Sequence, residues 1–345
     1  KELINFIRSK IRLITDRLYD IFDFNRMSTT LKSQGLPGGY EIMLSDYDIL
    51  KLPVSVHIPL HRILASFIEQ ACLSTENELK NEISLETIIS KDSLPKYLLE
   101  CLIEHPMRIQ ALCAQSQAGL WIRNGNDLRS QIYLYKRKAT FYDNGYDYDI
   151  LILQSLCILL GSDAFVICAL KRFGVHKELL IPSVASFLDS SENCIDACVI
   201  SELLSFFIHI ITHRTKCGMS IEEVLRREII HGLAPEDLTY SQLQSTISTR
   251  LTNLPQFDEI LKQVAEYKSA SVFDEGRFTL KSDSWNYYDP YFPRHSGREN
   301  QQSQDRYLDH LKSTNTLKSK GILPPLIIYK SFNSFGKLIE ILWCP

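Results

Sequence analysis

No stretch of this sequence is apolar for long enough to cross a membrane. The apolar runs 150–160 and 195–211 are interrupted by polar residues that include Gln154 and Glu202, whereas a spanning helix needs roughly 20 predominantly apolar residues. The start of the chain also lacks the pattern of a signal peptide. We therefore expect no membrane partner.

A surplus of positive charge is also missing. The 345 residues include 38 lysines and arginines against 41 aspartates and glutamates, which gives a net charge of −3. Proteins that bind nucleic acids or anionic membranes over a broad surface are usually basic. The charge balance disfavours both classes, and no nucleic-acid partner is predicted.

Paired cysteines are missing as well. The nine cysteines are scattered through the chain and their number is odd, which predicts free thiols in a reducing compartment rather than a disulfide framework. Cys194 and Cys198 have helical spacing but no second pair to complete a zinc site. We expect a zinc-free segment of a cytoplasmic protein, with the nucleus as a second compartment.

Two histidine pairs have only part of a metal-binding pattern. Pro59 separates His57 from His61, so His57 precedes the helix that Pro59 begins. His209 and His213 are one helical turn apart, but no glutamate follows His209 to act as a base. The sequence also has no nucleophile elbow, phosphate-binding glycine-rich loop or dinucleotide fingerprint. No metal ligand, cofactor or catalytic residue is predicted in this segment.

The sequence does contain helical periodicity and enough apolar residues, 45% of the total, for more than one core. Apolar residues at steps of 3 and 4 from Ile4 to Ile21 predict a helix that docks on the chain or forms a coiled coil. A glycine-rich loop is predicted at 32–40, and no internal repeat of fixed period is found. Further helices are predicted at 59–72, 106–124, 126–142, 147–160, 163–173 and 192–214.

The pattern changes in the last third of the chain. Ser220 and Glu223 form a capping-box pair at the start of a helix. That helix and two more are predicted at 220–231, 241–251 and 255–268. The residues 272–273 and 278–280 flank a glycine-containing turn at 274–276, which predicts a β-hairpin. Three helices and a hairpin predict a winged-helix domain in a mainly α chain.

The predicted winged helix is acidic. From residue 226 to residue 294 there are eight lysines and arginines against ten aspartates and glutamates. Asp258, Glu259 and Glu266 lie on its predicted third helix, the one that would read DNA. Because phosphate contacts supply most of non-specific DNA affinity, we interpret the domain as protein-binding or architectural.

The segment 294–320 is polar, with six basic and three acidic residues. Its stretch 298–313 has few helix breakers and predicts a helix with Tyr307, Leu308 and Leu311 as apolar anchors. So few anchors predict a helix that frays on its own. Pro324 and Pro325 then begin a final apolar helix.

Four segments occur together in one order and spacing. They are VHIPLHRILA (56–65), EHPMRIQALCAQSQAGLWIRNG (104–125), QIYLYKR (131–137) and REIIHGLA (227–234). From about residue 50 onward, this series resembles the central region of the large UBR-type RING ubiquitin ligases, the N-recognin family, and its fungal members most of all.

The resemblance implies a multi-helix scaffold, a winged-helix domain and a C-terminal helix that docks a ubiquitin-conjugating enzyme, E2. It divides the chain into an N-terminal helix and loop (1–50), a helical scaffold (51–217), a winged helix (218–293), a polar basic segment with the E2-binding helix (294–320) and the start of a further helical element (321–345). The E2-binding residues that it implies are Arg298, Arg306, Tyr307, Leu308, Leu311 and Lys312.

The resemblance further implies that the chain is a non-catalytic piece excised from a longer E3 ubiquitin transferase, which directs substrates to proteasomal degradation in the N-degron pathway. It implies that the parent holds zinc in UBR-box and RING domains. Two modes of substrate recognition stay open, direct reading of N-terminal residues or action through a substrate-adaptor protein. Two other interpretations stay open: a winged-helix nucleic-acid-binding protein, and a helical protein–protein adaptor unrelated to ubiquitin.

Overall fold

The computed structural model describes residues 2–21, 47–78, 85, 96–121, 125–137, 145–175, 193–269, 275–315, 329 and 333–343. The predicted loop 32–40, residues 272–273 of the predicted hairpin and the Pro324-Pro325 helix start lie outside these ranges. Within these ranges the helices of the first two thirds of the chain are α1 (Glu2–Ile21), α2 (Pro59–Glu78), α3 (Lys96–Gln117), α4 (Gly125–Lys136), α5 (Gly145–Leu160), α6 (Ser162–Phe173) and α7 (Asn193–Thr212). The remaining elements are α8 (Ile221–Leu233), α9 (Tyr240–Thr246), α10 (Thr249–Thr252), α11 (Phe257–Val264), β1 (Ala265–Lys268), β2 (Arg277–Leu280), α12 (Gly297–Ser313) and 3₁₀ helices at Ser282–Tyr287 and Asn333–Trp343.

The chain forms two compact units. The first comprises residues 1–132, 145–218 and 330–345, and the second comprises residues 133–144 and 219–329. The structure is mainly helical with one small antiparallel sheet, as the sequence predicted. Among the described helices, none combines the length and the apolar composition that crossing a membrane requires.

Helix α3 lies at the centre of the first unit. It packs against α1, α5, α6 and α7, and α1 also packs on α2. Ile11 of α1 is buried, so the predicted amphipathic helix docks on the chain rather than standing apart as a coiled-coil strand. Helix α5 is buried along almost its whole length, and its Gln154 side chain donates hydrogen bonds to the carbonyls of Ile210 (2.9 Å) and His213 (2.7 Å).

Pro106 does not begin a helix, contrary to the prediction, but lies inside α3. Proline has no N–H to donate to the carbonyl four residues earlier, which here belongs to Leu102. The His61 ring, from α2, makes a hydrogen bond to that backbone carbonyl. The His61 ring thus lies where it can donate to the carbonyl that Pro106 leaves without a backbone donor.

Helix α3 also ends before the predicted Asn124-Gly125 stop. Gly119 adopts a left-handed conformation (φ +80°) just beyond Gln117. Its N–H donates to the Ser116 carbonyl and the Leu120 N–H donates to the Gln115 carbonyl, which closes the helix end. The prediction was wrong because two glycines compete as stops and only the conformation separates them.

The second unit contains a winged helix. Ser220 and Glu223 form the predicted capping box of α8, and Thr239 with Gln242 forms a second one that begins α9. Gly232 permits close packing of these helices, since a Cβ there would lie 3.0 Å from Leu243 Cδ1. Strands β1 and β2 pair antiparallel with Ala265 opposite Leu280 and Tyr267 opposite Phe278.

The hairpin begins earlier than predicted. The third helix, α11, stops at Val264, and residues 265–268, which the sequence placed in that helix, form β1. Ala265 is buried, whereas Glu266, Tyr267 and Lys268 are all exposed, so burial along this strand shows no two-residue alternation. The apolar periodicity of the helix 257–264 continues by chance into residues 265–268. Because this strand has only one buried residue, its sequence pattern does not distinguish it from the helix.

Candidate partner-docking surface

Helix α12 coincides with the predicted helix 298–313 and begins at a third capping box. The Glu299 N–H donates to Ser296 Oγ (3.3 Å), and the Glu299 carboxylate accepts from the Ser296 N–H (2.7 Å). Arg137, beyond the end of α4, forms an ion pair with the same carboxylate. The start of α12 is therefore fixed by both local and distant contacts.

The inward face of α12 joins the winged-helix core. Leu311 is fully buried and Tyr307 is 4% exposed. The Tyr307 ring lies 5.3 Å from the Tyr288 ring and 6.2 Å from the Trp285 ring. The helix does not stand on its own, because aromatic partners some 20 residues earlier in the chain supply contacts that the sequence analysis did not identify. Fraying of the isolated helix stays a prediction.

Arg306 is also used within the fold. Its guanidinium donates to the carbonyls of Leu233 (3.1 Å) and Ala234 (3.4 Å) at the end of α8, and it forms an ion pair with Asp237. Partial burial acts to raise the pKa of Asp237, but hydrogen bonds from Lys268, Thr279 and Arg306 outweigh it and hold that pKa below its ordinary value.

The outward face of α12 is a stripe of side chains at steps of 3 and 4 residues, which share one side of a helix. We call it the outward stripe: Arg298, Gln301, Asp305, Leu308 and Lys312. Leu308 is half-buried and Lys312 is exposed with a 3.0 Å ion pair to Asp309. Of the six residues assigned to E2 binding, the structure leaves three on this face and places Arg306, Tyr307 and Leu311 inward.

A short connector, residues 289–295, joins the winged helix to α12 and is tied to α8 by ion pairs. Asp289 accepts from Arg227 (3.0 Å), and Arg294 pairs with Glu228 (2.9 Å). All four side chains are largely buried. A segment without regular structure is thus attached to α8 by two buried ion pairs.

His231 completes the connection between α8 and the connector. Its Nδ1 donates to the Arg227 carbonyl (2.7 Å), and its Nε2 accepts from the Asp289 N–H (2.9 Å). The ring stacks on Phe292 at 4.3 Å. Burial, together with the Arg227 charge, lowers the pKa of His231 to about 3, so the ring is neutral near pH 7.

Sequence reasoning missed these connector residues, although a signal was present. The segment REIIHGLA contains Arg227, Glu228 and His231, the three side chains that hold the connector. In the same way, VHIPLHRILA contains His61 and EHPMRIQ contains Pro106, which meet at the Leu102 carbonyl. The segments that carried the resemblance are therefore the ones whose polar side chains join distant parts of each unit.

The described residues offer no arrangement typical of an active site. Within those ranges no group of three or more His, Cys, Asp or Glu side chains could hold a metal ion. Every cysteine with a described side chain is a free thiol, and all of these except Cys198 are buried. The absence of zinc from this segment stays a prediction.

The architecture defines a class of protein: a helical scaffold followed by a winged helix with an added, docked helix. Two family models match the chain in the same order. Residues 1–204 match the UBR1/2/3-like ARM repeat domain, and residues 224–322 match the winged-helix domain described as E3 ubiquitin-protein ligase UBR1-like. The chain belongs to the UBR1/2/3-like family.

Curated relatives agree with this assignment. The chain is 30% identical over 297 residues, 81% of its length, to E3 ubiquitin-protein ligase PRT6 of Arabidopsis thaliana. It is 30% identical over 76% of its length to ubr1 of Schizosaccharomyces pombe and 27% identical over 77% to human UBR1. The chain spans only 14%, 13% and 15% of these three proteins.

Proposed function

We propose that this chain is the scaffold and E2-docking segment of a RING-type E3 ubiquitin-protein ligase that directs substrates to proteasomal degradation. The names of the relatives support the ligase class. The observation that carries the docking role is α12, whose inward face is built into the winged-helix core while its outward stripe stays accessible. The proposal includes zinc domains and an adaptor protein outside this segment, and action in the cytoplasm.

Docking of α12 on the winged helix favours its use as a binding element. A helix that must order itself on binding loses affinity to that cost, whereas a preordered helix does not. Tyr307 and Leu311 supply this order by their burial, so they act on E2 binding through the position of the helix. Direct contact falls to Leu308, with Arg298 and Lys312 near the two ends of the stripe.

The charges of the outward stripe suggest the chemistry of the E2 surface. Arg298 and Lys312 lie toward opposite ends of α12, with Asp305 between them. An E2 surface with acidic groups around an apolar pocket for Leu308 would match this order, and the long-range attraction would speed encounter. The stripe is about 20 Å long at 1.5 Å per residue, which suits one face of a small enzyme.

The test is calorimetric titration of the 345-residue chain with a panel of E2 enzymes. Leu308→Ala combined with Lys312→Ala should weaken binding about tenfold or more, as expected for loss of a central anchor and a charge. Leu204→Ala is the matched control, because Leu204 is an exposed leucine of the first unit. Its affinity should equal that of the unmodified chain.

Two results would contradict the proposal. One is the absence of binding to every E2 tested, and the other is unchanged affinity in the double variant. Leu311→Ala is unsuitable as the primary test, because Leu311 is fully buried and its truncation would lower stability as well as binding. The melting temperature of each variant therefore accompanies its affinity.

A role in nucleic-acid binding is less well supported. Asp258 and Glu259 are exposed in the first turn of α11, and Lys268 of β1 forms an ion pair with Asp237. This leaves acidic side chains on the face that would approach DNA. We expect no sub-micromolar affinity for duplex DNA in an anisotropy titration, and a tight interaction that weakens steeply with salt would reverse this conclusion.

A further inference from the structure

The winged helix has three aromatic rings in contact at its surface, which we call the aromatic row: the exposed Tyr240 and Tyr267, with the half-buried Phe278 between them. The Phe278 ring is central, 6.2 Å from the Tyr240 ring and 5.1 Å from the Tyr267 ring. Tyr267 is 59% exposed and Tyr240 is 38% exposed. Tyr267 and Tyr240 thus leave part of their ring surfaces in water on either side of Phe278.

Strand pairing and a nearby glycine fix the position of the aromatic row. Tyr267 and Phe278 face each other across the β1–β2 pair, and Phe278 is also bridged to Leu238 through two backbone hydrogen bonds. The Tyr267 ring lies against Gly276, where a Cβ would come within 1.9 Å of the tyrosine hydroxyl. The glycine therefore allows Tyr267 to fold along the hairpin rather than point freely into solvent.

The charge near the row is negative. The Tyr240 hydroxyl donates to Asp258 at 2.8 Å, and Asp258 is exposed. The cations of the hairpin are engaged elsewhere: Lys268 pairs with Asp237, and Arg277 donates to the Asp237 carbonyl. Because residues alternate along a strand, Lys268 and Arg277 lie on the opposite face of the hairpin from Tyr267 and Phe278.

Strand β1 also has an open edge. It pairs with β2 on one side, and the sheet has no further strand among the described residues. An extended peptide can add to such an edge through main-chain hydrogen bonds, with alternate side chains contacting each face of the sheet. Such a peptide would lie beside Tyr267 alone, because Phe278 and Tyr240 follow Tyr267 across the strands. Contact with the whole aromatic row therefore requires an extended segment that crosses the strands.

We propose that the aromatic row binds an arginine-rich or lysine-rich extended segment of a partner protein. The basic side chains stack on Tyr267 and Tyr240, since a guanidinium or ammonium group is attracted to the face of an aromatic ring. Asp258 adds an ion pair at one end of the row. This surface is separate from the outward stripe, so both can be occupied together.

The experiment is fluorescence anisotropy of a fluorescein-labelled peptide of alternating arginine and serine, titrated with the 345-residue chain. A peptide of alternating glutamate and serine is the charge control. Tyr267→Ala should weaken binding of the arginine peptide about two- to fivefold, the loss expected for one exposed cation–π contact. Tyr287→Ala is the matched variant, a tyrosine of the same unit that is 50% exposed, and should have no effect.

Asp258→Asn gives a second, independent reading, because it removes the charge and keeps an acceptor for the Tyr240 hydroxyl. It should weaken binding of the arginine peptide and leave the melting temperature of the chain unchanged. The variant therefore tests the proposal even if Tyr267→Ala unfolds the domain. The proposal is overturned if the arginine peptide does not bind, if the glutamate peptide binds equally well, or if Tyr267→Ala and Tyr287→Ala have equal effects.

Discussion

The two units use buried ion pairs for different purposes. In the first unit, Glu104 of α3 pairs with Arg108 on the same helix and with Arg172 of α6, so the charges fix one helix against another. In the second unit, Arg227–Asp289 and Arg294–Glu228 fix a connector that has no regular structure of its own. Buried charge thus sets helix orientation in one unit and loop path in the other.

The contribution of the buried ion pairs to stability is expected to be largest at Glu104. Glu104→Gln should cost the first unit about 3–5 kcal/mol, because two buried guanidinium groups lose their counter-charge. Calorimetric unfolding of the chain measures this loss. Asp48→Asn removes an exposed pair with Lys51 and should cost less than about 1 kcal/mol. Equal losses in the two variants would show that burial does not control the strength of these pairs.

Asp289→Asn is the corresponding change in the second unit. We expect a loss of about 3 kcal/mol, since one buried arginine rather than two is left unpaired. Hydrogen exchange should show the loss in α8 and α12, while α3 keeps its protection. If exchange rises in α3 as strongly, the connector is not the element that Asp289 stabilises.

Acid should weaken both units, because each buries neutral histidines. Burial, with a neighbouring charge, lowers the pKa of His61 and His231 to about 3 and of His105 to about 4. The unfolded chain takes up these protons near pH 6.5, so stability is complete above that pH and falls toward pH 4. The free energy of unfolding should change by ~1.4 kcal/mol per pH unit for each histidine.

The unit-specific part of this pH dependence can be isolated by substitution. His231→Gln should reduce the pH dependence of the free energy of unfolding of the second unit by the contribution of one proton. It should leave the pH dependence of the first unit unchanged. Denaturant midpoints between pH 7 and pH 4 provide the measurement. An unaltered slope would mean that His231 is charged in the folded state.

The contact between His61 and the Leu102 carbonyl predicts a coupling within the first unit. His61→Ala should cost about 1–3 kcal/mol, because a buried acceptor loses its donor. In a Pro106→Ala background, residue 106 regains the N–H for that carbonyl, so the same substitution should cost less. A double-mutant cycle measures the difference, and strict additivity would show that His61 does not replace the backbone donor.

The smallest effect is expected at the start of α12. Ser296→Ala removes one half of the capping box and should cost about 1 kcal/mol. Ser220→Ala at α8 is the matched change. Suppose that both substitutions lower the melting temperature of the second unit equally, but only Ser296→Ala lowers the affinity for E2. The position of α12, rather than the stability of the unit, then controls docking.

Elements with local signals were predictable from the sequence. The capping pair Ser220–Glu223, the periodicity of α1 and the polar helix near 298–313 all depend on residues within one or two turns of each other. The inward role of Tyr307 and Leu311 was not predictable, because their partners Trp285 and Tyr288 lie across a proline-containing connector. The start of β1 was missed for a similar reason, since its pairing partner is β2.

The repeat character of the first unit was also invisible in the sequence. Its family model is described as an ARM repeat domain, yet its described helices range from the 12 residues of α6 to the 22 of α3. Repeats of unequal length give no fixed sequence period.

The two attachments of α12 have a mechanical consequence. One lies at its first turn, at Glu299, and the other at Arg306, about 10 Å further along at 1.5 Å per residue. A helix attached at a single point can rotate about that point, whereas a helix attached at two separated points keeps its direction. A partner bound to the outward stripe, as proposed above, would therefore be carried on a helix of fixed direction. A sideways pull on that partner would be shared through Asp237 with Lys268 of β1.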